Sequence, residues 1–192
     1  MKEKKEKKSW WLIIFIVMIM IGTSFSFVFF GFSGTSEVVK YNDLKFIKKT
    51  DRWEAKINDR YAAFSFLPSD VENIPSLNDS TKMLQDKFEI DTTYDQNSTY
   101  KETIALANYQ MGLTLANYNI FIRQGMALNN TFNLPIIRCT DATPQVPVVY
   151  FREGNSTIIY SKGNCIIAEA NSNQEFIRIK DRLVYSILGV IK

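Results

Sequence analysis

Residues 146–170 read VPVVYFREGNSTIIYSKGNCIIAEA, and this stretch sets the expectation for the fold. Short runs of β-branched, aromatic and other apolar residues are typical of strands, and three such runs occur here, at residues 146–152, 157–160 and 165–170. The tripeptides EGN and KGN that separate them have the composition of tight turns. The pattern predicts an antiparallel meander over residues 146–170.

The earlier part of the domain also has strand patterns. Three β-prone runs lie at residues 44–48, 53–57 and 61–66. Asn58-Asp59-Arg60 separates the last two and is typical of a tight hairpin turn. A further short strand is predicted at residues 135–139.

Helical patterns lie between and after these strands. Thr99 and Glu102 have the spacing of a capping box, and an apolar stripe follows at Ile104, Met111, Leu115, Tyr118, Ile122 and Met126. They predict a helix over residues 100–127, although Gly112 and Gly125 weaken it. A second capping box at Ser172 and Glu175 predicts a last helix with an apolar face formed by Phe176, Ile179, Leu183, Ile187 and Ile191.

These elements predict an α+β fold with an antiparallel sheet and helices packed on one face, because strands come in runs rather than alternating with helices. The polar residues 91–98 are predicted to form a loop. Arg182 is expected to pair locally with Asp181 or with a carboxylate of the sheet.

The N-terminus predicts a membrane anchor. Residues 2–8 read KEKKEKK, and the 23 residues at positions 10–32 contain no charged side chain. As a helix they would reach roughly 34 Å, against a hydrocarbon core of about 30 Å. The positive-inside rule predicts a cytoplasmic stub at residues 1–9, a transmembrane helix in contact with lipid at 10–32, and an exported domain at 33–192.

Two other readings of this N-terminus remain open. A cleaved signal peptide has the same basic start but a shorter apolar region; small residues at 24–26 and 31–33 offer cleavage positions. A pilin-like subunit also has an apolar N-terminal helix after a basic leader, and it would be trimmed near Ser9.

The charge of the exported part argues against nucleic-acid binding. The chain has 23 basic and 20 acidic residues, and residues 1–9 contain five lysines and two glutamates. The remaining 18 basic and 18 acidic residues balance, so the domain lacks the excess positive charge of nucleic-acid-binding proteins.

Two kinds of covalent site are predicted outside the cell. Cys139 and Cys165 are expected to form one structural disulfide, because their predicted compartment is oxidising and their spacing is not that of a redox C-x-x-C motif. Four asparagines lie in N-x-S/T sequons and are possible glycosylation sites: Asn78, Asn97, Asn129 and Asn155. The same residues also fit exposed turns.

The sequence contains no constellation that selects a reaction. The chain has no histidine, which removes the usual general base and most zinc sites. Asp86, Glu89, Asp91 and Asp95 form an acidic cluster without the order of a calcium loop. We therefore predict no catalytic residue, no metal site and no cofactor.

Three segments of the last third of the chain resemble uncharacterised single-pass membrane proteins of archaea. They read CTDATPQVPVV from Cys139, GNCII from Gly163 and DRLVY from Asp181. The resemblance implies a membrane-tethered domain with paired cysteines and no assigned activity.

These observations predict a single-pass protein whose exported domain is a non-enzymatic interaction or assembly module of the cell envelope, with a protein partner there. The alternatives are an envelope enzyme that uses carboxylates or a free cysteine, and the pilin-like subunit.

Overall fold

A computed structural model describes residues 10–30 and 37–191. The predicted basic stub at residues 1–9 and residues 31 and 32 of the predicted anchor lie outside the described residues. The chain forms two compact units, Met1–Ser36 and Glu37–Lys192. In the first unit, Trp10–Phe30 form helix α1. Within the part of the chain that the structure describes, no helix combines the length and the hydropathy needed to cross a membrane.

The second unit is an α+β domain, which confirms the predicted class. Its strands are β1 (Val38–Tyr41), β2 (Leu44–Lys48), β3 (Trp53–Ile57), β4 (Arg60–Phe64), β5 (Glu89–Tyr94), β6 (Phe121–Gln124), β7 (Val148–Glu153), β8 (Ile158–Lys162) and β9 (Cys165–Ala170). Its α-helices are α2 (Pro68–Val71), α3 (Lys101–Ala116) and α4 (Asn173–Ile187), and 3-10 helices lie at Leu77–Leu84 and Cys139–Asp141.

The first sheet is an antiparallel meander in the order β1-β2-β3-β4. Asn58 and Asp59 both have positive φ, 46° and 64°, as the two central residues of a type I′ hairpin turn require. The predicted hairpin is therefore confirmed. Trp53 lies opposite Phe64, and both side chains are buried on the face that packs against the rest of the domain.

The second sheet, in the order β6-β5-β7-β9-β8, differs from the predicted meander. β7 pairs in parallel with both β5 and β9, and only β8 runs antiparallel, paired with β9 at the edge. The continuous apolar run VVYF in β7 is the signal for a central parallel strand, because such strands are buried on both faces. The predicted KGN turn is confirmed between β8 and β9, where Gly163 has φ +60°.

The prediction of a loop at residues 91–98 was wrong for residues 91–94, because Glu89–Tyr94 form β5 inside this sheet, and it is confirmed for residues 95–98. Asp91 is buried there, and its carboxylate accepts two hydrogen bonds from the Arg123 guanidinium of β6, at 2.7 and 2.6 Å. A buried carboxylate is tolerated when it is paired in this way. The polar composition of the segment had concealed the strand.

The predicted helix over residues 100–127 ends at Ala116. Asn119 adopts φ 60°, a left-handed conformation that Asn tolerates, and the chain then enters β6, which pairs in parallel with β5. The stripe residues Ile104, Met111 and Leu115 are buried as predicted. The predicted strand at 135–139 is limited to one isolated bridge between Met126 and Ile136.

Helix α4 joins the two sheets. It begins as predicted, with the Ser172 hydroxyl accepting a hydrogen bond from the Glu175 amide at 3.3 Å. Its apolar face is buried, and Tyr185 stacks on Phe64 of the first sheet with ring centroids 4.0 Å apart. Asp181 is fully buried, and its carboxylate accepts hydrogen bonds from the Ser65 and Phe66 amides at 2.9 Å each.

The predicted disulfide between Cys139 and Cys165 is confirmed. It joins the second 3-10 helix to the first residue of β9. Cys165 belongs to a small apolar cluster with Ile137, Val148 and Ile167. This cluster covers the face of the second sheet opposite to Val149 and Ile166, because successive side chains of a strand point to opposite faces.

We expect Asp181→Asn to lower the free energy of unfolding by about 3–5 kcal/mol, because it leaves the buried Lys180 ammonium without its counter-charge. Urea unfolding of the purified chain measures this change. Asp43→Asn at an exposed position is the matched control and should stay within about 0.5 kcal/mol of the wild type. Equal effects of the two substitutions would contradict the role of Asp181.

Loss of the disulfide is expected to cost about 3–4 kcal/mol, since the bond closes a loop with a sequence separation of 26 residues. The comparison is urea unfolding of the wild type against a Cys139→Ser, Cys165→Ser double variant. Without reductant, neither cysteine of the wild type should react with an alkylating agent. Free labelling of the native protein would contradict the assignment.

Candidate functional site

Helix α3 carries apolar residues on two faces. One face is buried in the core through Ile104, Met111 and Leu115. On roughly the opposite side, Leu106, Tyr109 and Leu113 are 48%, 58% and 55% exposed. Their spacing of three and four residues aligns them in one stripe, which we call the α3 stripe. Large apolar side chains that are grouped on an exposed surface are typical of interaction sites, so this face resembles a surface that another molecule covers.

The α3 stripe forms one wall of a groove with a cavity of about 270 Å³, here called the α3 groove. Its remaining lining comes from three places in the sequence: Asp51 and Arg52 before β3, residues 63–65 at the end of β4, and Lys180 of α4. Gln110 and Thr114 of α3 complete it. The groove is therefore assembled from segments that are far apart in the chain.

Hydrogen bonds from α3 and the segment after it hold the two walls together. Thr114 donates to the Ala63 carbonyl at 3.2 Å, and Asn117 donates to the Tyr61 carbonyl at 3.1 Å. The Tyr118 hydroxyl donates to the carbonyls of the β3–β4 turn, at 3.2 and 3.1 Å. Burial raises the pKa of Tyr118 to about 12, so this donor keeps its proton. These hydrogen bonds tie α3 and the segment after it to β4 and to the β3–β4 turn.

The groove has polar groups in its lining. Lys180 is 2% exposed, and its ammonium donates to Asp181 Oδ1 at 2.5 Å. An ammonium has three donors, and among the described residues Asp181 is the one acceptor that Lys180 Nζ contacts. The amide oxygen of Gln110 is buried, and the described part of the chain provides it with no hydrogen-bond donor.

Burial raises the pKa of the Asp181 carboxyl, against the lowering effect of the Lys180 ammonium and the two amides. The predicted pairing of Arg182 with Asp181 or with a carboxylate of the sheet stays a prediction. Arg182 donates to the Ser186 hydroxyl at 2.7 Å, and Lys180 lies next to the Asp181 carboxylate.

A second, more polar pocket lies at the carboxyl ends of β5 and β7, where the chain leaves the two strands in opposite directions along the sheet. Such crevices are the usual ligand sites of parallel sheets. Its cavity is about 250 Å³, and its lining is Asp95, Asn97, Ser98, Tyr150, Phe151, Arg152 and Glu153.

Glu153 and Arg152 of this polar pocket are already paired within the domain. Glu153 accepts hydrogen bonds from the Ser98 hydroxyl and the Thr99 amide at 3.1 Å each. Arg152 donates to Glu169 at 2.5 Å. Burial and the Asp95 carboxylate raise the pKa of Tyr150, so its hydroxyl keeps its proton at neutral pH. The paired groups of the polar pocket hold the fold, whereas the α3 stripe beside the α3 groove is about half exposed.

The predicted site residues lie away from the α3 groove. Asn97, Asn129 and Asn155 are exposed in the segments that follow β5, β6 and β7, so they share the edge formed by the carboxyl ends of these parallel strands. The Gln96 side chain donates to the Asn129 carbonyl at 2.8 Å. Asn78 lies in the first 3-10 helix, and its side chain is outside the described residues. Glycosylation of these positions stays a prediction.

The predicted acidic cluster is not one site. Asp91 pairs with Arg123 inside the sheet, and Asp95 belongs to the polar pocket. Across residues 10–30 and 37–191, no group of three or more His, Cys, Asp or Glu side chains is arranged to hold a metal ion.

The sequence reasoning missed the α3 groove. Its available signal was the apolar residues at 106, 109 and 113, outside the predicted buried stripe of the same helix. The other wall and Lys180 could not be assigned without the fold, because they come from β4 and α4.

No protein-family model, no curated protein and no solved structure matches this chain.

Proposed function

We propose that the chain is a membrane-anchored, exported interaction module that binds a protein partner in the α3 groove. The observation that carries this proposal is the α3 stripe, where three large apolar side chains are about half exposed on a helix whose other face is in the core. Aromatic and aliphatic anchors of this kind dominate the energy of protein interfaces when a partner covers them. The groove beside the stripe gives such a partner a concave surface.

The anchor is proposed from the sequence of residues 10–32, which contains no charged residue and follows five lysines. A single lipid-embedded helix would confine the domain to the membrane surface on the outer side. Confinement raises the effective concentration of the domain near partners in the same envelope without any new contact. Binding in the α3 groove would then need only modest intrinsic affinity.

The enzyme alternative has less support. Both cysteines of the chain are in the disulfide, so this state offers no free thiol nucleophile. The carboxylate Glu153 holds the segment before α3, and Glu169 is paired with Arg152. These two carboxylates are therefore engaged in holding the fold. The pilin-like subunit and the cleaved signal peptide stay alternatives that the intact mass of the N-terminus distinguishes.

A photo-crosslinking amino acid at position 109 should form a discrete adduct with a protein in native membranes. The matched control places the same amino acid at Phe88, a highly exposed apolar residue outside the groove. We expect the adduct at 109 to fall at least tenfold when Leu106 and Leu113 are both replaced by Lys, since hot-spot side chains contribute about 1–2 kcal/mol or more each. Mass spectrometry of the adduct identifies the partner. The absence of an adduct at 109, or equal adducts at 109 and 88, would refute the groove as the docking site.

The proposed topology predicts that the domain resists alkaline extraction from native membranes and that external protease removes it from intact cells lacking a cell wall. Deletion of residues 1–32 should release it from the membrane fraction, whereas replacement of the five lysines at 2–8 by Gln should leave it bound but impair its orientation. Extraction of the full chain by alkaline carbonate would contradict the anchor. Protection of the domain from external protease would contradict its export.

A further inference from the structure

Two polar groups in the lining of the α3 groove have hydrogen-bonding capacity that the described residues do not use. Lys180 is almost completely buried, and within the described structure its ammonium contacts one acceptor, Asp181 Oδ1. Gln110 lines the same groove, and its amide oxygen is buried without a donor. Buried polar groups are nearly always paired, so each exception in a native domain requires an explanation. Gln110 Oε1 is such an exception, and the Lys180 ammonium, which uses one of its three donors, lines the same cavity.

We infer that the α3 groove binds an extended apolar segment of its protein partner by capturing one peptide group of that segment. Lys180 Nζ donates to the carbonyl oxygen of the peptide group, and Gln110 Oε1 accepts from its N–H after a rotation of the Gln110 side chain. The neighbouring apolar side chain of the segment packs on Leu106, Tyr109 and Leu113. This inference rests on the proposed function and specifies what the partner presents.

The charges of the groove favour a neutral peptide group over an anion. Lys180 is already neutralised by Asp181, and Arg52 at the rim is paired with Glu54 at 2.9 Å. A carboxylate or phosphate placed against Lys180 would also approach the buried Asp181 carboxylate, and like charges repel strongly where water is excluded. A peptide group carries one acceptor and one donor and no net charge, which matches the one ammonium and the one free carbonyl oxygen.

The size and lining of the groove favour a single side chain with its adjoining peptide group. The cavity of about 270 Å³ lies at the lower edge of the range of about 300–1,000 Å³ that is typical of pockets for whole small molecules. The α3 stripe is apolar, whereas the ammonium with spare donors comes from α4 and the unpaired amide oxygen comes from Gln110 beside the stripe. Recognition of a main-chain group together with one side chain is how extended peptides are commonly bound.

The test uses N-acetyl-L-leucine N-methylamide, which carries one leucine side chain between two peptide groups, as the probe. The full chain in lipid nanodiscs is titrated with the probe, and the methyl resonances of Leu106 and Leu113 are followed by NMR. The comparison ligand is 4-methyl-1-pentanol, which has a similar branched chain and no peptide group. We expect saturable shifts with the probe at millimolar concentration, and at least fivefold weaker binding of the alcohol.

Gln110→Met separates peptide capture from simple apolar binding. It removes the unpaired acceptor and keeps a side chain of similar length, so thermal stability should be unchanged or higher. We expect it to weaken the probe three- to tenfold and to leave the alcohol unaffected. Gln96→Met, outside the groove, is the control variant and should change neither. Lys180 is left intact, because its removal would break the buried pair with Asp181.

Each result has a distinct meaning. Equal binding of probe and alcohol, or no effect of Gln110→Met, overturns peptide capture and leaves the docking proposal to the crosslinking experiment. Absence of saturable probe binding overturns it as well. Methyl shifts that depend on protein concentration alone identify a second copy of the chain as the occupant and also overturn it. Probe binding that follows the predicted pattern without a crosslinked partner supports the groove chemistry while the proposed function fails.

Discussion

The domain depends on one buried carboxylate. Asp181 lies on α4. Its Oδ2 accepts hydrogen bonds from the Ser65 and Phe66 amides after β4, and its Oδ1 accepts one from the Lys180 ammonium. These hydrogen bonds fix the point where the first sheet ends and the chain turns into α2. They also set the position of the Tyr185 hydroxyl, which donates to the Phe66 carbonyl at 2.8 Å. Because a buried charge is costly unless paired, the carboxylate and its donors stay together, and α4 stays joined to the first sheet.

The same interaction creates the candidate site. Lys180 is held in the groove because Asp181 keeps its ammonium inside the domain, while Ser65, which donates its amide to Asp181, lines the facing wall. The α3 wall is then tied to β4 through Thr114 and Asn117. The groove is thus a consequence of how the two sheets are joined. A substitution that loosens the joint should disturb docking as well as stability.

Local patterns in the sequence were sufficient for part of the fold. β2 and β3 have the predicted bounds, and the last helix begins at its predicted cap, because hairpin turns and caps are decided by neighbouring residues. The disulfide followed from the predicted compartment and the residue spacing. The wrong predictions concern segments whose conformation depends on pairing with residues that are distant in the sequence. Asp91 could be read as part of a strand only with knowledge of Arg123, 32 residues later. Strand β6, which follows α3, was not predicted. Tyr118, Ile122 and Met126 continue the helical spacing of apolar residues, although all three lie beyond the end of α3 at Ala116.

The site was harder to predict than the fold for a related reason. Leu106, Tyr109 and Leu113 are ordinary residues for a helix, and they become informative only when the structure leaves them uncovered. Lys180-Asp181-Arg182 would normally be taken as a solvated charge run, whereas all three side chains are buried. Runs of charged residues are exposed in most proteins, but this is only an average tendency. Buried and paired charges of this kind are exceptions, and here they join α4 to the first sheet and line the candidate site.

The proposed anchor and the proposed groove suit each other energetically. One peptide group and one side chain can supply only a few kcal/mol of binding free energy, and a dissociation constant near 1 mM corresponds to about 4 kcal/mol. Such affinity is too weak for a freely diffusing protein at ordinary concentrations. Tethering can provide effective concentrations in the millimolar range, so a partner held in the same membrane would occupy the groove for a large fraction of the time. A small groove of this kind is therefore useful to a domain that is confined beside its partner. The proposed anchor supplies the local concentration that the weak affinity of the proposed groove requires.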